Sequence, residues 1–238
     1  MPGKHVTKQY EAQAYYHLYN RGVEKRIIFL DEQDYGVFLS YLKTYLLPKD
    51  EKKLFHIISD PSANYKEKNA AKRELQLNNF FNLIQMNAYI LMSNHFHFLV
   101  QQSEKNAIDR FMNSLCTRYT MYFNKKYHRV GPLFQSQYKA VRITSDEQLI
   151  YITRYIHRNI ISKTLALKGN ALQGKKMMEY PWSSYAVYIG KRHIEWLHPK
   201  NVLGYFGKTE ANTYASFAEM NDQNEKSAII LSPLDLES

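Results

Sequence analysis

The run Ser93-Asn-His-Phe-His-Phe-Leu-Val100 constrains this chain more tightly than any other stretch. Its side chains alternate in character residue by residue, the two-residue period of a strand whose faces meet different surroundings. Phe96, Phe98 and Val100 share one wholly apolar face, so the core is expected there, while His95, His97 and Leu99 share the other. Residues 80–92 are also strand-like, and Ser93-Asn94 between the two runs predicts a hairpin over 80–102. Such a hairpin needs further strands and covering helices to be stable.

The remaining sequence supplies them. Residues 14–19 read as a strand closed by Asn20-Arg-Gly22. Asp31-Glu-Gln-Asp34 opens a helix in which Tyr35, Phe38, Leu39, Leu42, Tyr45 and Leu46 recur at helical spacing until Pro48. A second long helix over 107–127 carries an apolar stripe of Ile108, Phe111, Met112, Leu115, Tyr119, Tyr122 and Phe123. Residues 133–143 read as another strand. Thr144-Ser-Asp-Glu147 then reads as a capping box opening a helix to about residue 162. Residues 49–79, rich in Lys, Glu and Asn, are expected to be an insertion with one short solvated helix around 63–76. Residues 169–174 read as loop, the aromatic-rich segment from Tyr180 should pack back on the body, and the last residues should fray.

The order β-α-(insertion)-β-β-α-β-α predicts an α+β fold, with a small antiparallel sheet and helices mainly on one face. There is no glycine-rich phosphate loop and no internal repeat. We expect one unit over 1–178, with its insertion at about 49–79, and a helical or irregular C-terminal extension and tail over 179–238.

Charge narrows the partner. Lys and Arg number 32 against 22 Asp and Glu, a net charge of +10, in a chain with 20 Tyr and 12 Phe. Cations attract phosphates and rings stack on unpaired bases, so nucleic acid is the expected partner class. The lone Cys116 excludes a disulfide framework and a Cys-rich zinc module. The run 88–92 is far too short to span a bilayer and the N-terminus lacks an apolar signal region, so no membrane association and a cytoplasmic location are expected.

Two segments carry candidate chemistry. His95 and His97 lie roughly 6 to 7 Å apart along a strand, within reach of one metal ion. Two surface histidines on a half-exposed strand fit the same pattern, and the residues alone leave both readings open. In Leu149-Ile-Tyr-Ile-Thr-Arg-Tyr-Ile-His-Arg-Asn159, Tyr155 and Asn159 stack on one helix face, with Arg154 and Arg158 as an adjacent cationic pair. That combination suits a phosphodiester, although an amphipathic helix with Tyr155 at its rim would also produce it. Tyr119, beside Arg118, is a rival tyrosine, but its apolar stripe predicts that its ring packs on the sheet.

Together these segments resemble the HUH single-tyrosine transposases of the IS200/IS605 type, most of all their REP-associated branch. The resemblance rests on Met92-Ser-Asn-His-Phe-His97 and Arg154-Tyr-Ile-His-Arg-Asn159. Tyr16-His-Leu-Tyr-Asn-Arg-Gly22, Thr117-Arg-Tyr-Thr-Met-Tyr-Phe-Asn124, Gly131-Pro-Leu-Phe-Gln135 and Tyr180-Pro-Trp-Ser-Ser184 support it, in order over about 14–190. Ile160 stands where the family usually has Pro, and Gln137 where it usually has Arg.

The resemblance implies a ferredoxin-like catalytic domain that acts on single-stranded DNA, commonly with a hairpin at the repeat end, as a monomer or homodimer. It implies Tyr155 as the nucleophile, forming a 5′-phosphotyrosine and releasing a 3′-OH. His95, His97 and Asn159 would hold Mg²⁺ or Mn²⁺, and Arg21, Arg118, Arg154 and Arg158 would contact DNA. A domesticated hairpin-binding protein without transposition is the alternative, and a small-phosphoester hydrolase a third.

Overall fold

The computed structural model describes residues 10–161, 170–207, 209 and 213–220. Four strands form one antiparallel sheet: β1 (Tyr15–Arg21), β2 (Ile84–Met92), β3 (His95–Gln102) and β4 (Lys139–Ile143), in the order β2-β3-β1-β4. Helix α1 (Glu32–Leu46) connects β1 to β2 and α4 (Ala107–Lys126) connects β3 to β4. This is the ferredoxin-like arrangement, with the two long crossover helices on one face. Asp31 caps α1, its side chain accepting from the Asp34 amide.

The core under α1 and α4 is aromatic. Phe96 and Phe98 meet Phe38 of α1, whose ring stands edge-on to Tyr119 of α4. The apolar face of the hairpin therefore packs where its alternation indicated. Gly22 closes β1 tightly: a Cβ there would overlap the Arg26 carbonyl, and the Gly22 amide donates to the Asn94 carbonyl at the hairpin turn.

The second sheet face is covered as well. Helix α5 (Asp146–Arg158) lays Leu149, Ile152 and Ile156 against Ala88, Ile90 and Leu99. Further cover comes from α6 (Asn170–Glu179), α7 (Tyr185–Tyr188), α8 (Lys200–Leu203) and α9 (Tyr214–Glu219), which contribute Met177, Tyr185, Tyr188, Val202, Tyr214 and Ala218. The Tyr180–Ser184 stretch runs along the outer edge of β2: Leu91 donates to the Trp182 carbonyl, and the Tyr89 carbonyl accepts from the Ser184 amide. That contact satisfies an edge strand's otherwise unpaired groups. Trp182 then stacks on Tyr35 of α1 at 4.6 Å, tying the extension to the first face.

Five local expectations need correction. The insertion holds two helices, α2 (Glu51–Ser59) and α3 (Tyr65–Gln76), which pack on each other through Leu54 and Ala71. Residues 133–138 are not strand; pairing begins at Lys139, after an isolated Phe134–Gly22 bridge. The N-cap of α5 is Ser145, not Thr144, and the Gln148 side chain accepts from the Thr144 amide, one residue beyond the expected Glu147. Helix α5 ends at Arg158 with Asn159 as its cap, and residues 170–174, read as loop, begin α6. Residues 162–169 and the tail after 220 lie outside the described residues. No helix among the described residues is long and apolar enough to cross a membrane.

Candidate active site

The site forms where the histidine face of the sheet meets the last turn of α5. Sheet register sets its floor. Arg21 lies opposite His95, Tyr19 opposite His97 and His17 opposite Leu99, all on one face. Helix α5 crosses this face on its buried isoleucines, which brings Tyr155 over the strands. The Tyr155 ring stands edge-on to His97 at 5.5 Å and 88°, and edge-on to His17 at 6.0 Å. One turn on, Asn159 Oδ1 lies 3.2 Å from His95 Nε2. Tyr155, His95, His97 and Asn159, separated by up to 64 positions, thus converge.

The histidines are held by their other ring nitrogens. His95 Nδ1 lies 2.6 Å from Asn94 Oδ1, and His97 Nδ1 lies 2.9 Å from His17 Nε2. Burial disfavours the charged form of both inner rings. The His17 pKa is pulled down to about 3. His97 is held well below the usual histidine value by burial first and then by His17, His95 and Arg21 nearby. His97 is therefore a neutral imidazole at physiological pH.

The donor set fits a divalent cation. Among the described residues no three His, Cys, Asp or Glu side chains are placed to hold a metal ion, and the oxygen that meets His95 Nε2 is that of the Asn159 amide. With its hydrogen on Nδ1, directed at Asn94 Oδ1, His95 would turn the lone pair of Nε2 outward. Nε2 would then stand 3.2 Å from Asn159 Oδ1, two atoms able to donate to one cation. Adjacent ligands of an octahedral cation, each at about 2.1 Å, stand about 3 Å apart. Imidazole and amide oxygen together accept Mg²⁺ or Mn²⁺, and also Zn²⁺.

The arginines separate into different places. Arg21 projects from β1 on the site's face, partly exposed. Arg154 and Arg158 turn away to α9: the Arg154 Nε donates to the Phe217 carbonyl at 2.9 Å, and an Arg158 Nη1 donates to the Ala218 carbonyl at 2.9 Å. Arg118 lies between α1 and α4, its guanidinium 3.8 Å from the Tyr41 ring centre, across the sheet from the histidines. Tyr119 is fully buried, with its hydroxyl donating to the Ile28 carbonyl at 2.5 Å, and burial raises its pKa far above the phenol range. It packs as its stripe indicated. His17 was missed as a site residue, although it sits inside Tyr16-His-Leu-Tyr-Asn-Arg-Gly22; only the β1–β3 register places it beside His97.

The family model described as "Transposase IS200 like" (Y1_Tnp) matches residues 37–159, a span that contains His95, His97, Tyr155 and Asn159. The chain belongs to the IS200-like transposase family. No curated protein matches it significantly. Among solved structures, a REP-associated tyrosine transposase bound to a REP hairpin is 14% identical, covering 86% of this chain and 94% of that chain with a TM-score of 0.41. A tRNA(His) guanylyltransferase from Saccharomyces cerevisiae is 9% identical, covering 94% and 78%, with a TM-score of 0.30.

Proposed function

We propose that the protein cleaves and rejoins single-stranded DNA at hairpin-forming ends, with Tyr155 as the nucleophile. The observation that carries this reading is the placing of Tyr155 edge-on to His97, one turn from the Asn159 oxygen that meets His95. The Tyr155 oxygen attacks the phosphorus and displaces the 3′ oxygen, leaving a 5′-phosphotyrosine and a free 3′-OH. The phenol loses one proton and the 3′ oxygen gains one. The phosphoester bond energy is kept in the tyrosine link, so a 3′-OH can reverse the step without a nucleotide cofactor.

His95, His97 and Asn159 would hold a divalent cation. Bound there, it would polarise the scissile phosphate and favour the phenolate of a residue whose ordinary pKa is about 10. The chain's own residues do the positioning. The register of β1 and β3 fixes the histidines, α5 fixes the tyrosine relative to Asn159, and Arg21 on the same face offers phosphate a cation. Arg154 and Arg158, bonded to α9, act through the placement of α5.

A denaturing gel with labelled hairpin oligonucleotide and Mg²⁺ or Mn²⁺ tests the assignment. Wild-type protein should give a covalent band and Tyr155→Phe none, with DNA affinity retained, since only one oxygen is removed. An adduct from Tyr155→Phe, or its loss on Tyr119→Phe, would overturn the assignment.

A further inference from the structure

We propose that His17 is the positioning residue of this centre, holding the His97 ring in the plane and tautomer that leave its Nε2 bare for a divalent cation. The proposal rests on the metal reading of His95, His97 and Asn159 given above. His17 comes from β1, and its Nε2 meets His97 Nδ1 at 2.9 Å with the two rings within 7° of parallel. Nitrogens this close leave no room for stacking, so the bond runs within the ring planes and sets the rotation of His97. Tyr19 lies nearly parallel to both rings, and Tyr155 stands edge-on to both, so neither imidazole can turn without displacing a neighbour.

One hydrogen bridges the two nitrogens. If His97 Nδ1 donates it, His97 Nε2 carries a lone pair, the state that metal binding requires. The hydrogen of His17 must then sit on its own Nδ1. If His17 Nε2 donates instead, His97 carries its hydrogen on Nε2 and presents an N–H where a cation would bind. Both rings are buried and share this one contact, so the two tautomers differ in where the hydrogen sits.

A second observation separates this role from simple packing. The His17 Nδ1 is buried and meets no hydrogen-bonding group among the described residues. Leaving a polar atom unsatisfied in a dry interior is unfavourable, and a phenylalanine would fill the same volume without that penalty. An imidazole is needed here for its other nitrogen. The usual partner of a metal-binding histidine is a carboxylate or carbonyl, either of which can only accept. An imidazole whose hydrogen sits on Nδ1 accepts at Nε2 in the same way, without placing a negative charge beside the phosphodiester.

Histidine ¹⁵N NMR on the metal-free protein reads the tautomer directly, and Mn²⁺ titration followed by electron paramagnetic resonance reads affinity. Wild-type His97 should show the Nδ1–H tautomer. His17→Phe should lose that signature and bind Mn²⁺ about ten- to a hundredfold more weakly. His17→Gln, whose amide oxygen can accept the same hydrogen, should restore both to near wild type. An Nε2–H tautomer in the wild type would overturn the proposal, as would a His17→Phe variant with unchanged tautomer and affinity. If wild-type protein binds no Mn²⁺, or His97→Ala binds it undiminished, the metal reading fails, while the NMR spectra still decide whether His17 sets the ring.

Discussion

Chemistry at the residue scale divides two tyrosines that look alike in sequence. Each sits on a helix beside an arginine, yet the Tyr119 hydroxyl is bound to a buried carbonyl and Tyr155 lies over the histidines. Tyr119→Phe should leave adduct formation intact and lower stability by about 1–3 kcal/mol, because the Ile28 carbonyl loses its donor; urea unfolding beside the gel assay measures both. Asn159→Ala should impair Mn²⁺ use less than His95→Ala, since water can replace an amide oxygen, and extra Mn²⁺ should partly restore its activity. Unchanged metal dependence in Asn159→Ala would place the third ligand elsewhere. The pairs His95/His97 and Tyr155/Asn159 were legible as candidates because each is set by local geometry, the period of a strand or one turn of a helix, while the family resemblance alone joined one pair to the other. His17 was not, because its partner lies 80 positions away and only strand register joins them.

At the scale of elements, the arginine pair finds partners within the protein. Arg154 and Arg158 flank Tyr155 in sequence, but their guanidinium groups reach the carbonyls of residues 217–220, at the end of α9, which no local pattern announces. The same contact buries His157 completely, its nitrogens 2.5 Å from the Tyr214 hydroxyl and 2.7 Å from Ser184 Oγ. Burial pulls its pKa to about 3. Because the folded value lies below the unfolded one, the fold favours the neutral ring. That contribution is whole above about pH 6.5 and is lost as pH falls toward 3, at about 1.4 kcal/mol per pH unit. Urea midpoints taken from neutral to mildly acidic pH should therefore fall, and His157→Gln should flatten part of the slope. Buried His17 and His97 leave a residual slope in that variant. An identical slope would show that protonation of His157 is not what loosens α5 from the extension.

At the scale of the molecule, the α+β class and the antiparallel sheet followed from the order of strands and helices, since a hairpin between two long crossovers leaves few ways to cover an apolar face. The aromatic-rich segment from Tyr180 packs back on the body as expected, but that it covers the histidine face was not legible, because its short helices have no strong period of their own. Net charge connects this architecture to its substrate. A surplus of +10 draws in phosphate at any orientation, whereas Arg21 is placed on the site's own face. Binding of a labelled single-stranded hairpin, followed by fluorescence anisotropy at several salt concentrations, should weaken with a log–log slope near −3.5 if about five phosphates are neutralised, about −0.7 for each. Arg21→Ala should make that slope shallower by about 0.7. Arg154→Ala should leave the slope as it is and lower the melting temperature instead, because its guanidinium is bonded within the protein. A flat salt dependence in the wild type would remove nucleic acid as the partner, and a slope that falls on Arg154→Ala but not on Arg21→Ala would reverse the places assigned to these two side chains.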